Sequence, residues 1–96
     1  MPEDINVIRI YMYLDGKKIK HSNLGYKYLL DAIKFIVEHP FDNQNMGDVY
    51  KKIAESYHTT SVSVERAIRH TISDREQTNK EFISKASDDI RYNVFL

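Results

Sequence analysis

Residues Asp48 to Ser73 most constrain what this chain can fold into, because two helical hydrophobic periods follow one another there with room for only a turn between them. Val49, Ile53, Ala54 and Tyr57 recur at helical spacing in the first. In the second, at about 100° per residue, Val64, Ala67, Ile68, Thr71 and Ile72 share a face. His58, Thr59 and Thr60 make the turn. Helices joined this tightly must cross and bury their apolar faces together. A small Ala54 near the end of the first, against Val64 in the second, suits that contact and predicts a helix-turn-helix over residues 48–73.

The opposite face of the second helix carries Val62, Arg66, Arg69 and Ser73, flanked by Glu65 on one side and by Ser63 and His70 on the other. Seen in isolation such a face is merely solvated. Next to a turn and an apolar partner face it suits base edges in the major groove of double-stranded DNA. Arg is shaped to pair with guanine O6 and N7 through two hydrogen bonds, worth about 1–3 kcal/mol of discrimination. Glu65 either accepts from a cytosine amino group or orients Arg66 or Arg69, and Val62 meets either a thymine methyl or another part of the protein. His70 reads as a polar residue of the same face. Thr60, Ser61 and Ser63, at the helix N-terminus, offer hydroxyls and amides to phosphate oxygens or act simply as caps, and Lys51 and Ser73 complete the expected phosphate contacts. With a formal net charge of +0, DNA binding requires a local positive patch, for which Lys51, Lys52 and Arg75 lie near Arg66 and Arg69 in sequence.

A length of 96 residues and 42% hydrophobic content support one small domain spanning 1–96 with a single core. The absence of cysteine removes disulfides, thiolate metal sites and thiol nucleophiles. His21, His39, His58 and His70 are scattered without paired ligand spacing, so neither a metal nor a cofactor is expected. No phosphate-binding glycine loop or nucleophile arrangement occurs, which argues against an enzyme and against a small-molecule substrate. Without a membrane-length apolar run or a signal peptide, the expected setting is the cytoplasm, with no membrane partner.

Ile5 to Leu14 is dense in β-branched and aromatic residues, and Asp15-Gly16 is a favoured two-residue turn before Lys17-Lys18-Ile19-Lys20. This predicts a β-hairpin over residues 1–21. A helix capped by Pro2-Glu3-Asp4, with Ile5, Ile8 and Met12 on one side, is the alternative. A hairpin would leave unpaired backbone groups and an apolar face along Ile8 to Leu14, so a homodimer through this segment is expected. Ser22 is placed to cap a helix that runs to about His39, burying Leu29, Ala32, Ile33 and Ile36, and ends at Pro40; Phe41 to Gly47 is a connection. Thr78 and Glu81 have capping-box spacing, so a last helix should start there, bury Phe82, Ile83, Ala86 and Ile90, and fray from Tyr92 to Leu96.

Val64-Glu65-Arg66-Ala67-Ile68-Arg69-His70 resembles the recognition helix of the effector domain of the sporulation response regulators. Gly25 to Ile33 is similar to that family's Gly-Tyr-x-Tyr-Leu-x-x-Ala-Ile segment, Tyr50 to Tyr57 to its first motif helix, and Thr78 to Ile83 to the start of its last helix. The likeness covers roughly the last three quarters of the chain. It implies a mainly α, small helical bundle containing a helix-turn-helix that binds double-stranded DNA and regulates transcription. Three departures stand out. Val62 and Ser63 replace a Ser and an Arg, which removes one cationic contact; the segment after Ile72 is shorter; and the chain has no room for the phosphoacceptor receiver, so no phosphorylation switch of that kind is expected. A reading from another class is a non-catalytic interaction module that pairs with a full-length relative.

Overall fold

The computed structural model describes residues 5–39 and 45–92, which form five helices. They are α1 (Ile5–Gly16), α2 (Leu24–Glu38), α3 (Met46–Ser56), α4 (Ser61–Thr71) and α5 (Asn79–Tyr92). The expected Pro2-Glu3-Asp4 cap, the stop at Pro40, most of the connection after it, and the fraying beyond Tyr92 lie outside the described residues. α2 is the hub, packing against each of the other four helices, while α3 packs on α4, and α5 closes over α1 and α4.

The N-terminal β-hairpin is not found; among the described residues there is no strand, and Ile5 to Gly16 is helical. The reason is tertiary. Ile10, Tyr13 and Leu14, one helical turn apart, are buried in the common core, and that burial overrides the β propensity of the segment. The side that Ile5, Ile8 and Met12 would have buried instead faces solvent, with Ile5 60% and Met12 52% exposed. Asp15-Gly16 does mark a reversal, but by ending a helix. Lys18 takes the left-handed conformation at φ 61°, the Ile19 amide donates to Leu14 O at 3.1 Å, and the Lys18 amide to Asp15 O at 2.9 Å. These bonds satisfy the last carbonyls of α1 and drop Ile19 into the core.

α2 is preceded by Asn23, not Ser22, in the extended capping conformation, and no side chain caps it. Its buried residues include the expected Leu29, Ala32 and Ile33, with Ile36 at the core's edge. α3 is capped by Asn45, whose Oδ1 accepts from the Asp48 amide at 2.9 Å. α5 opens with the expected reciprocal box: the Thr78 amide donates to Glu81 Oε1 at 2.8 Å and the Glu81 amide to Thr78 Oγ1 at 3.1 Å. Phe82, Ile83, Ala86 and Ile90 are buried as the spacing predicts.

Candidate nucleic-acid interface

The segment between α3 and α4 is set by its own hydrogen bonds. His58 adopts φ 54°, the Thr59 amide donates to Ala54 O at 2.9 Å and the His58 amide to Glu55 O at 3.4 Å, so the end of α3 is closed by a left-handed residue that is not glycine. Thr60 then caps α4: its Oγ1 accepts from the Ser63 amide at 3.1 Å and its hydroxyl donates to Ser63 Oγ at 2.9 Å. Tyr57 pins the turn to α2, with its hydroxyl donating to Asp31 Oδ2 at 2.7 Å and its ring edge-on to Tyr28 at 5.0 Å. Burial first, and then the Asp31 carboxylate, push the Tyr57 phenol up to about 12.

α4 buries Val64, Ile68, Thr71 and Ile72, with Ala67 at the margin, so the core face read from its periodicity is the one observed. Gly25 fixes how close α2 comes. A Cβ there would lie 2.2 Å from Ala67 O and 2.1 Å from Thr71 Oγ1, whose hydroxyl donates back to Ala67 O at 2.8 Å. On the other flank Asn79, the first residue of α5, donates through Nδ2 to Glu65 O at 3.0 Å. α4 is thus held from both sides, and what remains outside is a continuous row.

Val62, 52% exposed, lies in that row with Ser63, Arg66, Arg69 and His70, all exposed, and Ser73 follows the helix. Glu65 stands at its edge, half-buried, and accepts from Arg69 Nη2 one turn later in an exposed pair worth about 0.3–0.5 kcal/mol. Between the two roles open to Glu65, this contact favours orienting Arg69. Among the described residues Arg66 has no side-chain partner. Of the expected phosphate contacts, Ser63 and Lys51 are exposed, Ser61 is half-buried, and the Thr60 hydroxyl is already used in capping.

Two of the cations assigned to a local patch behave otherwise. Arg75 donates to Lys17 O and to Asp74 Oδ1, and its guanidinium sits 5.9 Å from the centre of the Phe82 ring, so it ties the end of α1 to α5 instead of facing a groove. Lys52 lies over Phe35 at 5.5 Å. Sequence reasoning missed Asn79, whose position just inside a capping box was the only available signal. Tyr50 is buried beside it; burial raises its phenol pKa, while Asn79 and Arg69 pull it the other way. Among the described residues no His, Asp or Glu group is placed to hold a metal ion, and no helix is long and apolar enough to cross a membrane.

A helical core that leaves two arginines, a histidine, a serine and a valine in an exposed row on α4 defines a class: small helical bundles with one largely polar helix face turned to solvent. The family is narrower. Residues 10–89 match the family described as the C terminal of sporulation initiation factor Spo0A, and the chain belongs to it. That domain is the DNA-binding effector part of a response regulator that controls sporulation genes, and not a catalytic family, so DNA binding is the general activity supported for this chain. No solved structure matches it.

Proposed function

We propose that this chain is a sequence-specific transcription regulator in which α3, the turn and α4 act as a helix-turn-helix within one domain, with α4 in the major groove of double-stranded DNA. The observation that carries this is the exposed row on α4, in a chain whose family binds DNA. Arg66 and Arg69 read guanine edges, Val62 meets a thymine methyl, His70 and Glu65 border the read bases, and Ser61, Ser63, Ser73 and Lys51 hold phosphates, with Thr60 contributing as cap. The setting is the bacterial cytoplasm, on the nucleoid.

The homodimer rests on a different surface from strand edges. Ile5, Ile8 and Met12 form an exposed apolar stripe along α1, and a second copy of this chain is the occupant proposed for it. The same stripe favours the second reading, in which the chain pairs with a relative and modulates it.

Titration of labelled duplexes, first selected from a random pool and then compared with random sequence, tests the main reading. Arg66→Ala and Arg69→Ala should each lose about 1–3 kcal/mol of specific affinity while random-duplex binding falls less and the melting temperature holds. Equal binding to selected and random duplexes, or full specific affinity in both variants, refutes base reading by this face.

A further inference from the structure

Asn79, the first residue of α5, is more than nine-tenths buried, at 8% exposure, and its side chain crosses to α4, where Nδ2 donates to Glu65 O at 3.0 Å. A carbonyl on that side fixes which way the amide points, because only the nitrogen can donate. The other half of the amide gains nothing: among the described residues its Oδ1 is buried without a partner. Nor does Glu65 O depend on this contact, since within α4 its regular donor is the Arg69 amide, one turn on. For stability alone an apolar side chain of the same size would serve as well, because it removes an unpaired buried acceptor and orphans no group on α4. What the amide supplies is a directional bond between two helices.

The residue it holds is the one that meets Arg69. Glu65 gives its backbone carbonyl to Asn79 and its carboxylate to Arg69 Nη2, so a line of contacts runs from a buried side chain of α5 to an exposed guanidinium. Tyr50 of α3, itself buried, lines the same recess as Asn79, Glu65 and Arg69. Arg66 stands outside this line. We infer that Asn79 is a positioning residue for base reading: by fixing α4 at Glu65 it sets where Arg69 enters the groove, and so contributes to specificity without itself touching DNA. The inference rests on the base-reading role proposed above for α4.

The test sets reading against folding in the full chain. Asn79→Leu, which keeps the volume and removes the donor, should melt within about 2 °C of wild type or above it, yet lose about 2–10-fold in the ratio of selected- to random-duplex affinity, the net worth of one hydrogen bond. Asn79→Ala also lacks the donor and should show the same loss of ratio whatever its stability. In an Arg66→Ala background Asn79→Leu should cost as much again, whereas in an Arg69→Ala background it should cost nothing further, because its effect passes through Arg69. Ser87→Ala removes another buried polar group of α5, one that bonds within its own helix to Ile83 O at 2.7 Å, and should leave the ratio at the wild-type value. A full ratio in both Asn79 variants, an undiminished loss in the Arg69→Ala background, or an equal loss in Ser87→Ala overturns the positioning role while the base-reading face stands. Wild-type protein that binds selected and random duplexes equally overturns the positioning role and the base reading together.

Discussion

Gly25→Ala should be among the most damaging single-methyl additions this fold can receive. The new Cβ would sit 2.1 Å from Thr71 Oγ1 and 2.2 Å from the Ala67 carbonyl oxygen, where ordinary contact needs about 3.4 Å. Two of its three nearest neighbours are backbone atoms of α4, so no side-chain rotation relieves the clash, and α2 and α4 must separate by about 1 Å. Overpacking of that kind costs about 3 kcal/mol. The bond from Thr71 to Ala67 O is disturbed for about 1 kcal/mol more, and the better helix propensity of Ala returns about 1 kcal/mol. The net of about 3 kcal/mol is a large part of the stability of a small domain and corresponds to roughly 10–25 °C in melting temperature. Gly16→Ala is the internal control, since nothing lies within 4 Å of its added Cβ, and it should melt at or slightly above wild type. Melting both variants by circular dichroism decides the matter. A Gly25→Ala protein that melts within about 2 °C of wild type would show that α2 and α4 are not in backbone contact and would refute the packing argument.

Other outcomes follow from the same coordinates. His58→Gly should raise stability by about 0.5–1 kcal/mol, because a left-handed residue closes α3 and glycine adopts that conformation without strain; a lower melting temperature counts against the assigned turn. Tyr57 keeps its proton more firmly folded, at about 12, than unfolded, at 10, so its contribution is complete below pH 10 and lost as pH rises through 12. Denaturation between pH 9 and pH 12 should therefore show a shallower loss in Tyr57→Phe than in wild type, and parallel curves would refute a phenol raised by burial and by the Asp31 contact. Light scattering should show wild-type dimers that Met12→Glu abolishes; a wild-type monomer at high concentration, or a dimer indifferent to Met12→Glu, removes the α1 interface. Deleting α1 is the wrong test, because Ile10, Tyr13 and Leu14 belong to the core.

What was legible in the chain was what neighbours in sequence decide. The Thr78–Glu81 box, the buried face of α4 and the order of its exposed row all follow from residues within a turn or two of each other. α1 reads as a hairpin in sequence because Ile, Val and Tyr favour strands when taken singly, whereas the spacing of Ile10, Tyr13 and Leu14 counts only once a core is available to bury them. Asp15-Gly16 reads as a two-residue hairpin turn with both residues left-handed, yet Gly16 ends α1 without a positive φ and the left-handed residue is Lys18, because helix closure places it beyond the last turn and not between two strands. Arg75 looked like a patch residue by proximity in sequence, and only the folded chain shows its guanidinium given to Lys17 O and Phe82. Gly25 is a clear motif residue, but nothing local says that its missing side chain makes room for Ala67 and Thr71.

The exposed row can consist of flexible side chains because the helix beneath it is fixed at separate points. The turn is tied to α2 through Tyr57 and Asp31, the middle of α4 to α5 through Asn79 and Glu65, and its second half to α2 through the contact at Gly25. These constraints fall on different sides of α4, so they limit its rotation as well as its depth, and rotation decides which side chains reach a groove floor. The two arginines then differ. On the proposed reading, Arg69 must exchange its exposed, weak pairing with Glu65 for a base. Arg66 has no such partner among the described residues and, on the same reading, pays up to about 2 kcal/mol in side-chain entropy when it is fixed. Its contact is therefore worth making only where two good hydrogen bonds are available together, so discrimination at the Arg66 position should be sharper than its share of total affinity suggests.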